Sequence, residues 1–113
     1  MELRARHDVV GSVPVLSLSG SVDLSTVPQL TDALLRHLAV HAGRRVAVDL
    51  DGVDVLDDTG LGVLLGAAGR ARSAGGDVVI VIADERLRAR FATTGFDRAV
   101  HVVDSLSAVG TID

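Results

Sequence analysis

Three successive stretches decide the fold: Arg45-Val46-Ala47-Val48-Asp49-Leu50, then Leu61-Gly62-Val63-Leu64-Leu65-Gly66-Ala67-Ala68, then Asp77-Val78-Val79-Ile80-Val81-Ile82-Ala83. In the first, Val46, Val48 and Leu50 alternate with Ala47 and Asp49, the two-residue period of a strand. In the second, Leu61, Leu64, Leu65 and Ala68 fall on one stripe at helical spacing, so a helix is expected from about Leu61 to Ala74, ended by Gly75-Gly76. The third is a continuous apolar run, as in a strand buried on both faces. Strand, helix and buried strand in this order make a parallel unit, and the rest of the chain extends it.

Downstream, Asp84 is placed to cap a third helix, roughly Glu85 to Thr94, stopped by Gly95. Ala99 to Val103 reads as a last strand. Asp104 is positioned to cap a short final helix, which Gly110 limits. Upstream, Asp51-Gly52 is a turn signal, and Val53 to Leu56 leads into Asp57-Asp58-Thr59-Gly60. A first helix precedes Gly43, with Val27, Leu30, Leu34, Leu38 and His41 on one stripe. Thr26 and Gln29 have the spacing of a capping box, and Pro28 stands in the first turn, where its missing N–H does no harm. Leu3 to Val10 and Val13 to Ser19 form a hairpin across Gly11-Ser12; Pro14 calls for a position that needs no N–H. The expected architecture is a single α/β domain over residues 1–113. Its sheet is mixed but mostly parallel, with four or five strands and about four helices.

Composition narrows the function. The net charge is −4, all 11 basic residues are arginine, and only Phe91 and Phe96 are aromatic. An acidic chain without aromatic platforms is a poor nucleic-acid binder. The N-terminus is charged where a signal peptide needs an apolar core, and the longest apolar run, Val78 to Ala83, is far below the roughly 20 residues a membrane helix needs. A soluble, cytoplasmic protein without membrane insertion is expected. There is no cysteine, and the histidines follow no recognised ligand pattern, so neither a metal nor another cofactor is expected. His37 and His41 are four apart on the first helix, but no third ligand is evident, and a structural or surface role is expected for them.

The chemistry concentrates at Asp57-Asp58-Thr59-Gly60-Leu61-Gly62. Thr59 stands where a loop meets a helix N-terminus, whose free N–H groups and positive dipole end favour an anion. A phosphate there adds about −1.5 to −2 of charge beside Asp57 and Asp58. The plainer alternative is that Asp58 or Thr59 is only the N-cap. Gly62, Gly66 and Gly69 lie on one stripe of the same helix, each costing up to about 1 kcal/mol relative to alanine. Either close packing or a flat outer face for a partner must offset that cost.

These residues carry a resemblance. Gly20-Ser21-Val22-Asp23-Leu24-Ser25-Thr26, the run Val48-Asp49-Leu50 through Val53 and Val55-Leu56-Asp57-Asp58-Thr59-Gly60-Leu61-Gly62, and the weaker Thr94-Gly95-Phe96 resemble, in order and spacing, the STAS domain of bacterial anti-sigma factor antagonists. The resemblance implies a partner switch rather than an enzyme. Thr59 takes the position of the phosphorylated hydroxyl. An anti-sigma factor with serine/threonine kinase activity binds the unmodified form, so freeing the sigma factor, and the phosphorylated form lets go. A protein phosphatase resets the switch, and the nucleotide belongs to the kinase. The implied binding surface comprises Asp23, Asp57, Asp58, Gly60, Leu61 and Gly62, with Asp23 and Asp57 positioning the loop and meeting the partner. The chain departs from the family pattern in two places: Asp58 replaces a common second serine, and threonine replaces the commoner serine at position 59.

Three other readings were weighed. Asp49-Leu50-Asp51-Gly52-Val53 resembles the nucleophile motif of haloacid dehalogenase-type phosphatases, but the lysine those enzymes use is missing. A receiver domain also needs a lysine. A STAS subunit without a switch, serving a transporter or sensor complex, differs in one checkable respect: a Thr59 hydroxyl that is buried or spent on capping favours it over the switch.

Overall fold

Residues 2–111 are described by a computed structural model. The elements are β1 (Leu3–Val10), β2 (Val13–Val22), α1 (Val27–Val40), β3 (Arg45–Leu56), α2 (Asp58–Ser73), β4 (Asp77–Val81), α3 (Glu85–Thr94) and β5 (His101–Val103). Short 3-10 turns occupy Leu24–Thr26, Phe96–Arg98 and Leu106–Thr111. Residues 1, 112 and 113 of the domain expected over 1–113 lie outside the described residues.

The sheet runs β1-β2-β3-β4-β5 in sequence order. β1 pairs antiparallel with β2, and the other three pairings are parallel. The mixed, mostly parallel sheet is therefore as expected. The helix count differs slightly: three α-helices form, and the last segment closes only as the turn Leu106–Thr111. That turn still matters for packing. Its Val109 is buried against Val13, Val15, Ala47, Val79 and Val81 on one face of the sheet. The other face carries the main core, where Leu30 and Leu34 of α1, Leu61, Leu64, Ala67, Ala68 and Ala71 of α2, and Leu87 and Phe91 of α3 meet Leu16, Leu18, Val48, Leu50 and Ile80. β4 is buried on both sides because both layers press on it, which accounts for its unbroken apolar run.

Three local expectations give way. Asp51-Gly52 is not a turn, since β3 runs straight through it. The parallel register slips there, from Ser17 opposite Asp49 to Ser19 opposite Gly52, so β3 carries one extra residue. A Cβ on Gly52 would lie 2.8 Å from that of Ser19, so a side chain at 52 would push the strands apart. Asp51 does not solvate a turn either: its Oδ1 accepts the Ala83 N–H at 2.6 Å and ties down the chain leaving β4. The Thr26–Gln29 box is replaced by one a turn earlier. Asp23 accepts the Ser25 N–H at 2.9 Å, and the Thr26 hydroxyl oxygen accepts the Asp23 N–H at 3.0 Å. Finally, α2 begins at Asp58, three residues before the expected start, because the Asp57 side chain accepts the Gly60 N–H and caps the helix there.

Candidate functional site

The site is built where the parallel strands β2 and β3 end together. Val22 is opposite Leu56, and the chain then leaves both strands at an aspartate, Asp23 and Asp57. The Asp57 N–H donates to the Val22 carbonyl at 3.0 Å, which pins the start of α2 to the end of β2. The carboxyl ends of parallel strands are where α/β folds display function, since the loops there are held by rigid neighbours.

Asp57 is the N-cap of α2. Its Oδ1 accepts the Gly60 N–H at 2.9 Å, and its carbonyl accepts the Leu61 N–H at 3.1 Å. Asp58 and Thr59 are thereby the first two helical residues, and among the described residues their backbone N–H groups have no partner. Thr59 is exposed, and its hydroxyl makes no hydrogen bond among the described residues. The capping alternative for Thr59 is thus excluded by Asp57, which already fills that role. What remains at position 59 is an accessible hydroxyl above two free amides at the positive end of a 16-residue helix.

Gly60 and Leu61 face inward. A Cβ on Gly60 would sit 2.3 Å from Cγ1 of Val22 and 3.2 Å from Cδ1 of Leu56. Only glycine lets the first turn of α2 lie this low on the strand ends. Leu61 is buried in the main core. These two residues therefore set the height and angle of Thr59 and offer little surface of their own.

Asp23 faces the same edge from the β2 side. The Ser25 hydroxyl donates to its Oδ1 at 2.6 Å, and this bond, with the Ser25 and Thr26 amides, holds its carboxyl below the usual range despite some desolvation. Thr26 is buried, and its hydroxyl donates to the Ser21 carbonyl at 2.9 Å. The loop that presents Asp23 is consequently fixed at both ends. Leu24, next to it, is 74% exposed.

The glycine stripe resolves in favour of surface. Cβ atoms built on Gly62, Gly66 and Gly69 would meet nothing within 4 Å, and all three residues are exposed. Packing does not offset their cost. They leave a smooth face on α2 beside a shallow apolar groove of about 210 Å³, lined by Thr31, Leu34 and Leu35 of α1 and Val63, Gly66 and Ala67 of α2. Leu35 is 41% exposed there.

Two features were not anticipated from sequence. Asp58 is paired with Arg90 of α3, whose NH2 group donates to Asp58 Oδ1 at 2.5 Å. Position 90 lies 32 residues away, and only the packing of α3 beside the end of β3 brings it near. His37, at the far end of the sheet, is buried against His7 and His41, with ring centroids 5.6 and 5.2 Å away. Helical spacing gave the His37–His41 pair, but nothing in the sequence placed His7 of β1 over it. Among the described residues no group of three side chains is arranged to hold a metal, and no helix is long and apolar enough to cross a membrane.

The phosphatase-like motif does not assemble. Asp49 is half-buried, burial raises its pKa above the ordinary carboxylate range, and its Oδ1 accepts the Asp51 N–H at 2.9 Å. Asp51 is occupied with Ala83. A nucleophilic carboxylate must instead be free to face a substrate.

The comparisons agree with this geometry. Residues 5–105 match the family model described as "Mlab, STAS domain". The chain is 31% identical over 85 residues to the anti-sigma-B factor antagonist of Listeria monocytogenes, covering 75% of this chain and 74% of that protein. It is 28% identical over 87 residues to the anti-sigma-B factor antagonist of Staphylococcus aureus, covering 77% and 80%. Among solved structures, an anti-sigma factor antagonist from Mycobacterium paratuberculosis superposes with a TM-score of 0.87 over 97% of this chain and 92% of that one, at 24% identity. The unphosphorylated form of the antagonist SpoIIAA superposes with a TM-score of 0.69 over 96% and 94%, at 16% identity, a likeness of fold. The chain belongs to the STAS domain family, beside its bacterial anti-sigma factor antagonists.

Proposed function

We propose that this protein is an anti-sigma factor antagonist whose affinity for its partner is switched by phosphorylation of Thr59. The observation that carries the reading is the Thr59 hydroxyl itself, exposed, unbonded and raised on the first turn of α2 by Asp57 and Gly60. The unmodified face offers Asp23, Leu24 and the smooth outer side of α2 from Gly62 to Gly69 to an anti-sigma factor. A phosphate at Thr59 adds roughly two negative charges next to Asp57 and Asp58, and an acidic or apolar partner surface is expelled. The free amides of α2 lower the cost of that phosphate within this chain, so the modified fold persists while the complex does not.

The protein is not itself an enzyme in this reading. Catalytic groups work in concave, water-excluding sites, whereas Thr59 is exposed on the first turn of α2. ATP and the phosphoryl-transfer machinery belong to an anti-sigma factor with serine/threonine kinase activity, and a protein phosphatase restores the hydroxyl. All three act in the cytoplasm. The test is incubation of the purified chain with the kinase-type anti-sigma factors of its own organism and ATP, followed by site mapping by mass spectrometry. Phosphate on Thr59, lost in Thr59→Ala, is the expected result. Phosphate on a different residue, or none with any of the kinases, overturns the reading and moves the chain to the non-switching scaffold class.

A further inference from the structure

Asp58 poses a problem for any charge switch at Thr59, because it places a permanent carboxylate beside the acceptor. A chain that always carries this charge would resemble, in part, its own phosphorylated form. The structure assigns a residue to this problem. Arg90 of α3 donates from its NH2 group to Asp58 Oδ1 at 2.5 Å, across the gap between α3 and the first residue of α2.

The pair is unequal. The Asp58 side chain is 89% exposed and the Arg90 side chain only 40%. Among the described residues the enclosed Arg90 Nε has no hydrogen-bond partner, and Arg90 lines a cleft with Asp54, Val55, Leu56, Arg86 and Leu87. This is not a free surface arginine that meets a carboxylate by chance; its guanidinium is held at the edge by packing, so less side-chain entropy is lost when the pair forms. The pairing offsets part of the Asp58 charge.

We propose that Arg90 masks Asp58, so that the unmodified protein presents Thr59 with less standing negative charge beside it and the phosphate is read as the signal. This rests on the phosphoswitch reading above. Arg90 is a positioning residue in this scheme. It need not touch the partner, and its effect passes through the Asp58 carboxylate. The same pair joins α2 to α3 across the site, so docking and the charge at position 58 are linked.

The test has two arms. In the first, unfolding equilibria of wild type, Arg90→Gln, Asp58→Asn and the double variant are compared without any partner; the pair predicts a coupling of roughly two- to fivefold in the unfolding constant. In the second, the same four proteins and Arg90→Lys are titrated against the anti-sigma factor that captures wild type. Arg90→Gln should bind roughly two- to fivefold more weakly. The double variant should bind as Asp58→Asn alone does, because without the carboxylate Arg90 has nothing to mask, and Arg90→Lys should keep most of the wild-type affinity. A double variant weaker than Asp58→Asn by the same factor as Arg90→Gln is weaker than wild type would mean that Arg90 meets the partner directly, and would overturn the masking role. So would unchanged binding by Arg90→Gln, or an absent coupling in the first arm. If instead Thr59→Glu binds as wild type does, the phosphoswitch fails while the first arm still reads the pair.

Discussion

The parallel strands β2 and β3 have a polar cluster at each end, and the two clusters are opposites. Near their starts, His37 of α1 is sealed under His7 and His41, beside the backbone of Pro14 and Ala47. At their finish, Asp23, Asp57 and Asp58 are each bonded to a named neighbour, and the Thr59 hydroxyl, which has no partner among the described residues, is in water. A buried imidazole is costly to protonate, whereas an exposed hydroxyl costs nothing and remains available. The starting end therefore stores a liability, and the finishing end stores an opportunity.

Each side of this contrast can be broken separately. The largest effect is expected at Gly60. Gly60→Val drives a branched side chain into Val22 and Leu56 and should destabilise the fold by about 3 kcal/mol in urea unfolding. Adding Val22→Ala should recover part of that loss. A Gly60→Val protein as stable as wild type would mean that the first turn of α2 is not held low on the strand ends.

The next effect concerns the buried imidazole. Burial, with His41 and His7 nearby, lowers the His37 pKa from 6.5 to about 4. The folded state thus prefers the neutral ring, and its contribution is complete above the unfolded pKa and is lost as pH falls from about 6.5 towards about 4. From pH 7 to pH 4.5 wild type should lose about 2 kcal/mol more stability than His37→Leu, which has no proton to take up. Parallel pH profiles for the two proteins would show that His37 is not the sealed group described here.

The helix caps give a smaller and sharper comparison. Asp57 caps α2, and Asp84 caps α3 by accepting the Arg86 N–H at 2.8 Å and the Leu87 N–H at 3.3 Å. Asp57→Ala and Asp84→Ala should each cost about 1 kcal/mol. Only Asp57→Ala should weaken partner binding, because only α2 carries the displayed hydroxyl. The smallest effect is expected at Gly66, where alanine meets nothing in the free protein. Gly66→Ala should stabilise the chain by up to about 1 kcal/mol in thermal unfolding while weakening the complex. Gain in both would remove the glycine stripe from the binding face.

Most of the fold was legible because it rests on period and punctuation. The alternation of Val46, Val48 and Leu50, the stripe through Leu61 and Leu64, and the apolar run of β4 each had one good structural solution. The site was legible in part, since Thr59 and its aspartates are adjacent in sequence. Local rules failed where two distant segments decide. Asp51-Gly52 has turn chemistry, but Ala83 claims the Asp51 carboxylate and Ser19 leaves room only for a glycine, so the strand continues. Thr26 looked like the cap of α1, yet Asp23 and the Ser21 carbonyl take its hydroxyl one turn earlier. Arg90 and His7 carry no motif at all; their roles come from packing, which no short window contains.

The central claim is that the charge state at Thr59 decides partner binding. Titration of wild type, Thr59→Ala and Thr59→Glu against the anti-sigma factor tests it directly. Thr59→Ala should bind as wild type does and take no phosphate, and Thr59→Glu should bind at least tenfold more weakly, about 1.4 kcal/mol. Equal affinity for wild type and Thr59→Glu would contradict the account.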